Sequence, residues 1–367
     1  MIADAVRTDA YARAIERCVR PGDAVLEIGT GTGLFAMLAC RAGARRVYAI
    51  EADDIVEVAR ANAAANGLAG SIEFLHALST EASLPERVDV VVSDLRGVLP
   101  LYEHHLASIL DARARFLAPG GRLVPRCDRL QVACVEAPRQ HAELTRPWSQ
   151  PTLGVAMPAA RGLVVNDLQK ATFESHDLVT EPACWATLDY AAIDSTDVRG
   201  RVRLRARRSA TTHGLAAWFD ATLADGVGYS TGPSEAARAS IYGQAFFPWP
   251  EPIELAAGDE VEIALGATLV GGQYVWTWET RCAQAHLRQS TFHAEPMSAA
   301  KLRLRAADNV VRVGGAASID RSVLEGMEGG RPLGEIAAQL RAAHPDRFAR
   351  WEDALAHVGE LAARYAR

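Results

Sequence analysis

The chain has 367 residues, 49% of them apolar and 23% charged, with a formal net charge of −6. That length allows two or three domains with cores of their own. The acidic balance argues against a nucleic-acid backbone as the main partner. The cysteines Cys18, Cys40, Cys127, Cys134, Cys184 and Cys282 are scattered without metal-ligand spacing, so neither a zinc site nor a disulfide framework is expected. The N-terminal run Met1-Ile-Ala-Asp-Ala-Val-Arg7 lacks a basic-then-apolar signal, and no apolar run approaches membrane-spanning length. The expectation is a cytoplasmic protein with no membrane partner.

In chain order, Ala3 to Val19 reads as a helix closed by Pro21-Gly22-Asp23. A strand (24–28), a glycine turn, a helix (34–42) and a second strand (46–50) follow, the βαβ rhythm of a parallel sheet covered on both faces. A buried strand (88–92), a helix (101–116) and a turn at Pro119-Gly120-Gly121 into a strand near Leu123 complete residues 1–125. Residues 126–296 show short alternating runs, the mark of an antiparallel barrel or sandwich. The arginine-rich run Arg199–Arg208 fits one of its strands, with Val202, Leu204 and Ala206 inward and the arginines solvated. From residue 297 to 367, a hairpin (302–305, turn at Asp308-Asn309, 310–313) precedes three helical stretches.

The densest signal is Val25-Leu-Glu-Ile-Gly-Thr-Gly-Thr-Gly33 between a strand and a helix. Gly29, Gly31 and Gly33 permit a tight turn and close backbone approach to a ligand at the sheet's C-terminal edge. Glycines alone serve a dinucleotide equally well. The acidic Glu27 before them, and Glu51 at the end of the next strand where a carboxylate can bind both ribose hydroxyls, shift the reading to S-adenosylmethionine.

Three further segments make the reading specific. Met1–Thr8 with Tyr11, Ala42-Gly-Ala-Arg-Arg-Val-Tyr-Ala-Ile-Glu51 and Ser93-Asp-Leu-Arg-Gly-Val-Leu-Pro-Leu-Tyr-Glu103 resemble consecutive signatures of the protein arginine methyltransferases. The resemblance implies a Rossmann-like α/β methyltransferase domain followed by a β-barrel domain with a dimerisation arm near Gly154 to Thr180, and hence a homodimer. It gives Arg7 the cofactor's methionine carboxylate and Glu51 its ribose, and brings Glu81 toward the adenine. Asp94 and Glu103 fall where the family has two glutamates that hold the nitrogen to be methylated. Such a transfer is an in-line displacement, so carboxylates are needed to orient the nitrogen and stabilise its developing charge.

Two departures stand out. Asp94 is one methylene shorter than glutamate, and Ser240-Ile241-Tyr242 replaces the family's Thr-His-Trp loop. A guanidinium suits a fork of two carboxylates; a site altered in this way points to a neutral side-chain amide, which needs a base near its N–H. Asp4, Tyr102, His104 and Tyr242 are the remaining acceptor-site candidates.

Residues 318–336 and the helices after them are similar to PqqD-like peptide-recognition domains, small winged-helix-like α+β modules that capture a leader peptide as an added strand. Glu325, Glu328, Glu335, Glu352 and Asp353 argue against DNA binding. The reading is N-methylation of an asparagine or glutamine side chain in a ribosomally made precursor peptide. Arginine, in a protein, a peptide or free, is the alternative acceptor, and a peptide-binding pseudoenzyme is the non-catalytic rival.

Overall fold

The structure is a computed structural model and describes residues 1–233, 238–312 and 314–365. The chain divides into two compact units, Met1–Pro296 and Met297–Arg367.

The first unit opens on α1 (Ala5–Cys18), then β1 (Ala24–Ile28), α2 (Leu34–Arg41), β2 (Arg46–Glu51), α3 (Val56–Ala65), β3 (Ile72–His76), β4 (Val88–Ser93), α4 (His105–Arg115) and β5 (Leu117–Val124). The five strands form a parallel sheet in the order β3-β2-β1-β4-β5. Chain order reverses between β1 and β4, and in open α/β sheets a ligand crevice forms beyond the strand ends at such a point. All five residues of β1 are buried, as a central strand covered on both faces requires. Helix α3 and strand β3 escape the sequence reading. Val-Glu-Val-Ala-Arg-Ala-Asn-Ala-Ala-Ala has little contrast between its faces, and five residues of β3 are too few to show a period.

The chain continues through β6 (Cys127–Val135), α5 (Pro138–Ser149), α6 (Ala159–Val164), β7 (Gln169–Ala171), β8 (Ala183–Asp189), β9 (Val198–Arg205), β10 (Ala210–Ala224), β11 (Val227–Ser230), β12 (Gln244–Leu255), β13 (Glu260–Val270), β14 (Gln273–Arg281) and β15 (His286–Ser290). The strands make two antiparallel sheets, β7-β12-β10-β6-β8 with β11 on β10, and β15-β14-β13-β9. Aromatic side chains join them: Trp185 packs on Trp276 with ring centroids 6.2 Å apart, and Phe247 on Trp278 at 5.2 Å. A Cβ on Gly200 would sit 1.8 Å from the Trp185 carbonyl oxygen, so only glycine lets β9 approach β8 there. Along β9, Val198 and Leu204 are buried while Arg199, Arg201, Arg203 and Arg205 face solvent, as the alternation predicts.

The second unit is helical among its described residues: α7 (Ala299–Leu304), α8 (Gly315–Glu328), α9 (Leu333–Ala343) and α10 (Trp351–Tyr365). Ile319, Val323, Ile336, Leu340, Phe348 and Val358 form its core. The expected hairpin at 302–305 and 310–313 is not there: its first arm lies in α7, residues 310–312 have no regular structure, and Val313 lies outside the described residues. Leu-Arg-Leu-Arg mimics a strand's two-residue period, yet Ala299-Ala300-Lys301-Leu302 are strong helix formers. The Ser298 side chain caps them, accepting from the Lys301 N–H at 3.2 Å. A winged-helix α+β arrangement therefore has no strand to build on among the described residues.

No helix is long and apolar enough to cross a membrane among the described residues, and no group of His, Cys, Asp and Glu there could hold a metal ion.

Candidate active site

The glycine turn stands at the C-terminal edge of the sheet, where β1 and β2 end. The N–H groups of Gly29 and Thr30 donate to the Ile50 carbonyl at 2.9 and 3.1 Å, binding the turn to the neighbouring strand. Gly29 has φ +74° and a Cβ there would lie 2.4 Å from Leu95, so both conformation and space exclude a side chain. Gly33 caps α2 in the left-handed region, and a Cβ on it would come within 3.1 Å of Ala59. Gly31, at φ +53°, is different. A Cβ on it would meet no protein atom within 4 Å, so its backbone faces open space.

Glu51, the last residue of β2, holds this turn. Its carboxylate accepts from the N–H of Gly31 at 2.8 Å, Ala52 at 3.0 Å and Asp53 at 3.2 Å. A carboxylate has about four lone-pair sites, so acceptor capacity remains for a hydroxyl. Glu81 is exposed in the loop between β3 and β4.

Glu27 lies beneath the turn, 3% exposed, and accepts from Thr30 Oγ1 at 2.5 Å. Burial pushes its carboxyl up to about 8, although the Thr30 hydroxyl and the Ala36 N–H pull the other way. Between the ordinary value of 4.5 and about 8, the folded chain keeps a proton that the unfolded chain gives up. Stability contributed at this position therefore falls as pH rises through that window, by at most about 1.4 kcal/mol per pH unit. Glu27→Gln should raise the thermal midpoint at pH 8 and lose that advantage near pH 4.5. Equal shifts at both pH values, measured by calorimetry, would place the effect elsewhere.

Arg7 and Asp94 meet beside this cradle. Arg7, on the first turns of α1, donates from Nε and Nη2 to Asp94 Oδ2, both at 2.5 Å, and its guanidinium lies over the rings of Tyr11 and Phe35 at 5.3 and 5.1 Å. Tyr242 OH donates to the same oxygen at 2.6 Å, and Arg96 Nη1 to Asp94 Oδ1 at 3.0 Å. Burial alone would raise the Asp94 carboxyl. Arg96 and Arg7, helped by the Tyr242 hydroxyl, outweigh it and hold the group below the ordinary carboxylate range.

Arg96 is the residue that sequence reasoning passed over, although it sits two positions from Asp94 in the quoted loop. It forks onto Asp128 through Nε at 2.7 Å and Nη2 at 2.9 Å, with neither side chain exposed, and donates to Tyr11 OH at 2.6 Å. Asp128 also accepts from Tyr190 OH at 2.5 Å, and that hydroxyl lies 3.0 Å from His105 Nε2. Burial pushes His105 down to about 3, as does Arg96, so the ring is neutral. Because the Tyr190 hydroxyl donates its hydrogen bond to Asp128, His105 donates from Nε2, and its buried Nδ1 has no partner among the described residues.

The other acceptor-site candidates divide. Tyr242 reaches the site. Asp4 is built into the fold: it caps α1, with Oδ1 accepting from Arg7 N–H at 3.1 Å and Oδ2 from Ile241 N–H at 2.9 Å. It thus pins the Ser240-Ile241-Tyr242 segment over the site. Tyr102, Glu103 and His104 are exposed at the start of α4. Glu103 has φ +41°, an uncommon conformation for a side-chain-bearing residue and one that costs on the order of 1 kcal/mol. Tyr102 packs over Gly97, where a Cβ would lie 2.6 Å from its ring, and His104 lies against Gly272 in the β13–β14 turn.

A sheet with a glycine crevice at its switch point, joined to two antiparallel sheets, defines the class, and comparison with known proteins gives the family. Residues 7–124 match the family described as ribosomal protein L11 methyltransferase (PrmA), and residues 129–268 match the arginine methyltransferase oligomerization subdomain. Protein arginine N-methyltransferase 6 of Xenopus laevis is 32% identical over 235 residues, 61% of this chain and 69% of that protein. Probable protein arginine N-methyltransferase 6 of Arabidopsis thaliana is 31% identical over 229 residues, and the match spans about half of that relative, 52%, and 60% of this chain. The Trypanosoma brucei PRMT1 enzyme-prozyme heterotetrameric complex with AdoHcy shares the fold, with a TM-score of 0.74 at 23% identity over 79% of this chain and 95% of that one. Protein arginine methyltransferase 10 of Arabidopsis thaliana does so with a TM-score of 0.68, also at 23% identity, over 79% of this chain and 95% of that one. The chain belongs to the protein arginine N-methyltransferase family.

Proposed function

We propose that this chain is an S-adenosylmethionine-dependent N-methyltransferase whose acceptor is a guanidino nitrogen of arginine in a protein or peptide. The observation that carries the reading is the Arg7–Asp94 ion pair at 2.5 Å, which joins the residue assigned to the cofactor's carboxylate to one assigned to the acceptor. In-line transfer needs those two half-sites in contact.

S-adenosylmethionine would supply an electrophilic methyl group on a sulfonium. The open face of Gly31 and the remaining acceptor capacity of Glu51 fit its ribose, Arg7 fits its carboxylate, and Glu27, Gly29 and Gly33 maintain the turn. Glu81 is the candidate for the adenine. Asp94 and Glu103 orient the acceptor nitrogen, and Tyr242 fixes the rotamer of Asp94. Arg7 holds Asp94 Oδ2 through Nε and Nη2, which leaves Nη1 to engage the cofactor's carboxylate.

One feature favours a second acceptor, the amide of asparagine or glutamine in a ribosomally made peptide. Arg96 already presents a guanidinium to Asp94 Oδ1, which weakens the attraction of this carboxylate for another cation. Capture of a leader peptide as an added strand is not part of either reading, because the described residues of Met297–Arg367 contain no strand to extend. We infer homodimerisation through the segment around α6, where Leu153, Val155 and Met157 are 99%, 60% and 41% exposed.

The test is incubation of the full chain with S-adenosylmethionine and peptides carrying one arginine, asparagine or glutamine, followed by tandem mass spectrometry. Methyl groups on arginine are expected. Methyl groups confined to the amides would overturn the guanidino assignment, and S-adenosylhomocysteine binding without turnover on any acceptor would favour the pseudoenzyme.

A further inference from the structure

At the opposite edge of the parallel sheet, where β1, β4 and β5 begin, lies a cavity of 850 Å³. Small-molecule sites commonly have volumes of about 300–1,000 Å³. The five residues of β1 separate it from the glycine turn by roughly 15 Å. Leu117, Leu123, Leu223 and Ala224 supply apolar lining. Six arginines share it: Arg17, Arg20, Arg87, Arg113, Arg122 and Arg126.

Their partners decide what the cavity can bind. Two carboxylates answer the six cations: Asp225 takes Arg126, and Asp23 takes Arg122 Nη2 at 2.6 Å. Three of the others are held by backbone carbonyls. Arg87 donates to Leu117 O at 2.7 Å and Ala114 O at 3.2 Å, Arg113 to Tyr190 O at 2.8 Å and Ile193 O at 2.6 Å, and Arg17 to Asp225 O. A carbonyl dipole orients a guanidinium without cancelling its charge. The Arg20 side chain has no hydrogen-bond partner among the described residues. Arg122 Nη1 is buried and finds no acceptor among the described residues. The cavity thus concentrates an excess of four positive charges in a chain whose net charge is −6. Planar guanidinium donors match phosphate oxygens in pairs, more closely than a lysine ammonium does.

We propose that this cavity binds a small organic phosphate carrying at least two negative charges, with the phosphate on Arg20, Arg122 and Arg126 and the organic body on the leucines. This site is independent of the methyl-transfer reading. Arg17 and Arg20 lie at the end of α1 and just beyond it, on the helix whose other end carries Arg7, so an occupant would rest against an element of both sites.

The experiment is titration calorimetry on the full chain saturated with S-adenosylhomocysteine, using uridine diphosphate as probe and uridine as its uncharged counterpart. Uridine diphosphate should bind with a micromolar dissociation constant and uridine should not. Arg20→Ala, which breaks no hydrogen bond of the fold, and Arg122→Gln should each weaken binding at least tenfold. Neither should change S-adenosylhomocysteine affinity, and Arg20→Ala should keep the parent thermal midpoint. Arginine-dependent sedimentation with phosphatidic acid vesicles would assign the phosphate to a lipid headgroup, and sedimentation of none of the protein would assign it to a soluble molecule. Absence of uridine diphosphate binding, equal affinity in parent and Arg20→Ala/Arg122→Gln, or tighter arginine-dependent binding of a polyglutamate peptide would each overturn the proposal.

Discussion

Asp94→Asn should lower turnover by a hundredfold or more at saturating S-adenosylmethionine, while S-adenosylhomocysteine still binds within a few-fold of the parent. Removing one preorganised charge at the reacting centre typically has that effect on rate. Here the geometry sharpens it. Arg7, Arg96 and Tyr242 all donate to Asp94, and an amide keeps one acceptor oxygen while turning an NH2 toward one of the guanidinium groups. The acceptor nitrogen then loses its carboxylate. Arg7, released from its ion pair, remains available to the cofactor, which is why binding and turnover should part. Glu103→Gln provides the comparison. Glu103 is exposed and outside the Arg7–Asp94–Arg96 network, so its variant should keep the parent's thermal midpoint and cofactor affinity and lose turnover alone. Unchanged turnover in Asp94→Asn would remove that carboxylate from the chemistry and leave it a purely structural ion-pair partner.

What the sequence makes legible follows from how local the controlling physics is. The glycine turn is readable because positive φ at Gly29, Gly31 and Gly33 favours glycine, and a Cβ at Gly29 or Gly33 would crowd Leu95 or Ala59. Strand β9 is readable because arginine and aliphatic residues alternate along it. The same alternation misleads at Leu302–Arg305, where a serine cap and alanines override it in favour of α7. The acceptor site is legible only in part. Asp94 and Glu103 stand in a recognisable segment, but what neutralises Asp94 comes from Arg7, 87 residues away, and from Arg96, itself held by Asp128 across 32 residues. No local pattern announces such pairs. Asp4 shows the converse: an acid beside the motif whose two oxygens each hold a backbone N–H of the fold.

Arg96→Met should destabilise the fold by about 3–5 kcal/mol, the usual consequence of removing one partner from a buried ion pair. Asp128, with no exposed surface, would keep only the Tyr190 hydroxyl, and Tyr11 OH would lose its donor. The penalty belongs mainly to the stranded carboxylate, not to the loss of a favourable bond. Arg96→Met/Asp128→Ala should therefore recover most of the stability, although each single change is harmful; such a cycle isolates the pair. The double variant also separates structure from specificity. With Arg96 gone, Asp94 Oδ1 is free and its charge is no longer shared with an internal guanidinium, so a cationic acceptor should be held more strongly. Activity on an arginine peptide should rise in the double variant relative to activity on an asparagine peptide, with the shift mainly in KM. Thermal midpoints and paired KM values on the two peptides provide the measurement. A single variant as stable as the parent would show that the Arg96–Asp128 pair does not hold the fold. Recovered stability with an unchanged ratio of the two KM values would show that Arg96 supports the loop without setting the charge that the acceptor meets.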